Sequence, residues 1–149
     1  MKSTLVIGAG NTCRQDDAAG IEAAARVKEK SNGSFTMIEQ SGEATALMEA
    51  WRGFDRVIII DAVRSGAKPG TIHRWNAGSE SIPRNYFHNS THTFGVVEAI
   101  EMARALGELP FEVIVFGIEG KSFDIGAGLS SEVEKAAEKT AEMVLKDIC

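Results

Sequence analysis

"RVIIIDAV", Arg56 to Val63, is the stretch on which the fold turns. Four consecutive aliphatic residues, Val57 to Ile60, leave no polar face, which suits a central parallel strand buried on both sides. Asp61 follows at once, so this strand would carry a carboxylate to its own C-terminal edge. Towards the N-terminus, "LVIGAGNTCRQDDAAG" (Leu5 to Gly20) has the same logic: an apolar run, a turn opened by Gly8 and Gly10, then a helical composition from Ala18 to Val27. Asp16 and Asp17 stand side by side where that helix should begin.

Towards the C-terminus, "FEVIVFGIEG" (Phe111 to Gly120) reads as a second buried strand, and "SFTMIEQ" (Ser34 to Gln40) and "GTIHRWN" (Gly70 to Asn76) as shorter ones. Helices are expected between them. "EATALMEAW" (Glu43 to Trp51) has helix formers at helical spacing, and a later segment places Val96, Ile100, Ala103 and Leu106 on one face before Gly107 stops it. The final helix aligns Val133, Ala137, Thr140 and Val144, with Ser130 or Ser131 as cap, the latter in a capping box with Glu134. Strands alternating with helices predict an α/β fold: one domain over 1–149, a three-layer α/β/α sandwich with a twisted, mainly parallel central sheet and helices on both faces.

The chain has 149 residues, 44% hydrophobic, enough for one sizeable core. Its net charge of -5, from 21 acids against 16 scattered bases, supplies no electrostatic footprint for nucleic acid. No apolar run approaches the roughly 20 residues of a bilayer span, and the first strand begins without a signal-peptide core, so a cytoplasmic, membrane-free protein is expected. Cys13 and Cys149 form neither a metal pair nor a disulfide framework. Oligomeric state is not written in the sequence; a monomer fits it.

In such sheets ligands bind beyond the carboxyl ends of the strands. Asp17 lies beyond the first strand, Asp61 ends the central one, and His92 falls in "HNSTHTFG" before the third helix. Two carboxylates and an imidazole suit a borderline divalent ion such as nickel or zinc. On residues alone, structural readings stay open beside that one: a cap for Asp17, a turn for Asp61, a surface loop for His92. His73 reads as an exposed strand position, His88 as a loop residue without a partner, Cys13 as a small loop or core residue, and Trp51 and Trp75 as packing. Glu119, ending its strand, can face the same crevice. There is no HExxH helix, GxSxG elbow or phosphate loop, and "GAGNTC" lacks the third glycine of a dinucleotide fingerprint.

Four segments in order, "GAGNTCRQDDAAG", "DRVIIIDAVRSGAKPGTIHRW", "STHTFGVVEAIEMA" and "VIVFGIEGKSFDIGAGLSSEVEKA", resemble the nickel–iron hydrogenase maturation proteases over nearly the whole chain. The resemblance implies an endopeptidase that removes a C-terminal extension from a hydrogenase large-subunit precursor. It further implies that Asp17, Asp61 and His92 contact nickel brought by the substrate, the free enzyme holding none, and that Asp16 is the helix cap. Many members carry an acidic Asp-Gly-Gly-like turn after the second strand, where this chain has Gln40-Ser41-Gly42, which keeps hydrogen-bonding capacity but no charge. The competing readings are a nickel-dependent chaperone that does not cut, and a peptidyl-tRNA hydrolase, which shares a glycine-asparagine turn but calls for a basic face.

Overall fold

The computed structural model describes residues 3–31, 33–87 and 94–148. Its strands are β1 (Thr4–Ala9), β2 (Thr36–Gln40), β3 (Arg56–Val63), β4 (Ile72–Asn76) and β5 (Glu112–Glu119), and its helices α1 (Ala19–Lys30), α2 (Ala44–Trp51), α3 (Val96–Leu106) and α4 (Ser131–Ile148). Short 3-10 turns cover Gln15–Ala18 and Arg84–Phe87. The five strands form one sheet in the order β2-β1-β3-β5-β4. All neighbours are parallel except β4, which runs antiparallel along β5 at the edge.

The aliphatic run of β3 divides between two cores. Ile58 and Ile60 join Val6, Ile114 and Phe116 beneath α1 and α4, whereas Val57 and Ile59 join Leu5, Ile7, Val113 and Val115 beneath α2 and α3. Successive side chains of a strand point to opposite faces, so a strand covered on both sides must be apolar at every position. Asp61 continues the 57, 59 series and therefore belongs to the α2/α3 side.

Chain order reverses between β1 and β3: the chain leaves β1 for β2 on one flank, then returns to place β3 on the other. Reversal opens a crevice at the carboxyl ends of these two strands. Close packing of α1 fixes its wall, because a Cβ on Gly20 would lie 2.0 Å from the Ile60 carbonyl oxygen and 2.6 Å from that of Ala9. No larger residue fits there, and the start of α1 is thereby held directly over the two strand ends.

The expected elements all form, with shifted ends. Glu43 caps α2 from outside, its carboxylate accepting the N–H groups of Thr45 and Ala46. Gly107 stops α3 in the left-handed conformation (φ 70°). Two details differ from expectation. Leu106 is exposed, the buried stripe of α3 running through Val96, Val97, Ala99, Ile100 and Ala103 instead. The Ser131 capping box is also absent: Ser130 holds the cap position, its carbonyl accepting Glu134 N–H, while the Glu134 carboxylate pairs with Arg26.

Candidate active site

β1 ends at Ala9, and the chain turns away at Gly10, whose amide donates to the Gln40 carbonyl at the end of β2 (3.0 Å). Gly10 has φ 145°, and a Cβ there would sit 1.9 Å from the Asp17 carbonyl oxygen, so glycine is required where the loop folds back on the 3-10 turn. Gln15 carries a positive φ of 45°, uncommon for a residue with a side chain. Backbone bonds compensate: Gln15 N–H donates to Gly126 and Asp16 N–H to Ser122, each at 3.0 Å, while Gly126 N–H donates to Cys13 at 2.9 Å. The turn is thus stapled to the β5–α4 loop, residues 120–130.

Asp16 completes the staple. Its Oδ2 accepts Lys121 N–H (2.8 Å), Ser122 N–H (3.0 Å) and the Ser130 hydroxyl (2.8 Å), and its Oδ1 accepts Ser130 N–H (2.8 Å). Burial by itself would raise its pKa; the N–H groups of Ser130, Ser122 and Lys121, with the Ser130 hydroxyl, overcome that and hold it below the ordinary carboxylate value. This corrects the expectation of a cap on its own helix. Neither the 3-10 turn nor α1 has a side-chain cap, and Asp16 instead binds the start of α4.

Asp17, the next residue, and Asp61, two residues before the end of β3 and just past its pairing with β1, are buried at 6% and 7% exposure and close enough to interact electrostatically. Asp61 Oδ1 accepts Ala62 N–H at 2.8 Å. Burial first, and the neighbouring Asp17 charge second, push the Asp61 carboxyl well above its ordinary range, with the Ala62 bond only a partial offset. Two buried carboxylates so placed favour a shared proton or a bound cation over two free charges.

His92, and with it His88 and Cys149, lies outside the described residues. Two residues after His92 in sequence, Phe94 accepts the Ala44 amide through its carbonyl (2.9 Å), and a Cβ on Gly95 would stand 3.5 Å from the Gly42 carbonyl oxygen. A Cβ on Gly42 would in turn be 4.0 Å from Asp61 Oδ2. The segment entering α3 and the Gln40-Ser41-Gly42 turn therefore line the Asp61 side of the crevice. Among the described residues no group of three His, Cys, Asp or Glu side chains is arranged to hold a metal.

Sequence reasoning missed how Glu119 and His73 are used. Glu119 is 1% exposed and does not present its carboxylate to the crevice. It accepts Ser65 N–H (2.8 Å) and the Ser65 hydroxyl (2.5 Å), and its Oε1 lies 3.2 Å from His73 Nε2. His73, read as exposed, is half-buried and stacks on Trp75 at a centroid distance of 5.4 Å. His73 pairs across the sheet with Gly117, on the same face as Glu119, a register that no local pattern in the chain specifies.

The fold and the crevice define a class, a doubly wound α/β protein with paired acids at its switch point. Residues 21–147 match the HycI family model, hydrogenase maturation protease. The chain belongs to that family and is a peptidase. It is 28% identical over 145 residues to the hydrogenase 2 maturation protease of Escherichia coli, covering 95% of this chain and 87% of that protein. The [NiFe] hydrogenase maturation protease HybD from Thermococcus kodakarensis superposes with a TM-score of 0.72 at 26% identity, covering 97% of each chain. The hydrogenase maturating endopeptidase HybD from E. coli has the same fold, with a TM-score of 0.76 at 20% identity over 98% of this chain and 91% of that one. No described helix is long and apolar enough to cross a membrane.

Proposed function

We propose that this peptidase removes a C-terminal extension from a nickel-loaded hydrogenase large-subunit precursor, recognising the nickel that the substrate carries. The observation that supports the reading best is the buried Asp17 and Asp61 pair at the switch point. Nickel bound to the precursor would meet Asp17, Asp61 and His92, two oxygen donors and one nitrogen donor suited to a borderline divalent ion. The raised Asp61 pKa fits this role, because an arriving cation displaces a proton and relieves the repulsion between the acids.

In the cleavage step a water oxygen bonds to the scissile carbonyl carbon, its proton passing to a carboxylate of the pair. The C–N bond then breaks, and that proton goes to the departing amine, leaving a new carboxylate on the large subunit. Anchoring the substrate's nickel places the scissile peptide against the acids and accounts for selectivity, because an unloaded precursor offers the same peptide without the anchor. Three protein donors without a thiolate make a weak site for free metal and a strong one when the precursor supplies the other ligands.

The test presents protease stripped of metal with metal-free and nickel-loaded precursors and follows the mass of the product. Cleavage of the loaded precursor alone is expected, and nickel added to the protease should not replace it. Equal rates on both precursors would refute recognition of substrate nickel; binding without any change in mass would favour the chaperone reading of the site.

A further inference from the structure

The crevice rim carries two arginines that have no carboxylate partner among the described residues. Five of the eight arginines are engaged with carboxylates: Arg26, Arg56, Arg74, Arg84 and Arg104. Arg14, Arg52 and Arg64 make no side-chain hydrogen bond or ion pair among the described residues. Arg52 follows α2, beside Gly53 and Phe54 at the opposite end of the sheet. Arg14 and Arg64 both stand at the carboxyl ends of the strands, Arg14 in the turn whose carbonyl accepts Asp17 N–H (3.0 Å), Arg64 directly after β3.

Arg64 is also held in place. Its Cζ lies 4.5 Å from the centroid of the buried Phe123 ring. Phe123 fills the space beside Gly120, where a Cβ would be 2.4 Å from the ring and 3.2 Å from Asp16 Cβ, so the ring that carries the guanidinium is packed close to Asp16. On the other side, Arg64 N–H donates to the Tyr86 carbonyl (2.8 Å), in the turn that leads towards His92. A stacked guanidinium loses little freedom on binding, and its planar fork of N–H donors matches a carboxylate. In a chain of net charge -5, two arginines without a carboxylate partner among the described residues, one in the turn that precedes Asp17 and one three residues after Asp61, require an explanation.

We infer that Arg64, supported by Arg14, is a specificity-determining residue that binds a carboxylate of the precursor's C-terminal extension while the acids engage the reacting centre. This inference rests on the function proposed above. The carboxylate is either the chain terminus or an Asp or Glu side chain of the extension. Binding of this kind acts on substrate and transition state alike, so it governs KM and leaves kcat nearly unchanged.

The experiment compares wild type, Arg64→Gln and Arg64→Lys on labelled nickel-loaded precursor, reading kcat and KM from cleavage and affinity from anisotropy. Arg64 is exposed, and unchanged melting confirms that the variants fold. Arg64→Gln is expected to raise KM roughly tenfold, the lower end for a hydrogen bond to a charged group, with kcat within twofold. Arg64→Lys, keeping charge but losing the fork, falls between. Precursors with an amidated C-terminus, or with each acidic residue of the extension changed to its amide, identify the source. The responsible one weakens the wild type by the same factor and Arg64→Gln no further. A KM for Arg64→Gln within twofold of wild type, or no precursor variant that weakens the wild type, overturns the inference. If wild type does not cut the loaded precursor, the proposed function fails, and anisotropy still decides the role of Arg64 by the same comparison.

Discussion

Replacing Asp16 by Ala removes four acceptor contacts at once. Three backbone N–H groups, of Lys121, Ser122 and Ser130, and the Ser130 hydroxyl all point at this one carboxylate over 2.8 to 3.0 Å. A hydrogen bond to a charged group contributes about 1.5 to 3 kcal/mol, but such contacts act as a unit and water reaches part of the vacated loop, so the expected loss is about 3 to 5 kcal/mol. In a domain of this size that corresponds to a melting temperature lower by roughly 10 °C. Asp16→Asn is a sharper control. Every partner is a donor, so the Asn NH2 would face N–H groups, and the variant should lose nearly as much despite its equal size. The pH dependence follows from the lowered pKa: the Asp16 contribution is present above the unfolded value of 3.8 and is lost as pH falls through the lower folded value. Thermal melts from pH 7 to pH 2 should show the wild type converging on the variant only in that acid range. A loss below about 1 kcal/mol at pH 7, or wild-type stability of Asp16→Asn, would refute the reasoning.

Asp61→Asn should abolish processing yet raise the melting temperature at neutral pH. The raised folded pKa means that stability falls as pH climbs from 3.8 through the folded value, so the gain disappears in melts below pH 3.8. Asp17→Ala and His92→Ala should each lose cleavage by more than about 100-fold while circular dichroism and melting remain close to wild type. Gly20→Ala should fail to accumulate as soluble protein or melt at least about 10 °C lower, because the new Cβ collides with the Ile60 and Ala9 carbonyls and cannot be relieved by a side-chain rotation.

Much of the fold is local enough to read from the chain. The unbroken aliphatic run Val57 to Ile60 required a strand covered on both faces, and it placed Asp61 at that strand's edge. Gly107 marked the end of α3, and the period of Val133, Ala137, Thr140 and Val144 marked the buried face of α4. Each of these signals is a relation between residues a few positions apart, governed by the repeat of one helix or strand. The expectation for Leu106 failed because a helical period says nothing about how far along a helix its cover extends.

Pairings across the fold were decided only in three dimensions. Asp16 is claimed by N–H groups 105 to 114 residues away, at Lys121, Ser122 and Ser130, which no local pattern in the chain announces. Glu119 looked like a candidate for the crevice until Ser65 and His73, brought beside it by β3 and β4, satisfied its carboxylate. The antiparallel placement of β4 beyond β5 made that contact possible. A carboxylate takes its state from the donors and charges that surround it after folding, and those partners come from distant segments, so the sequence by itself determined where the acids lie along the chain and the tertiary structure decided that Asp16 and Glu119 are held by the fold and that Asp61 is buried beside a second charge.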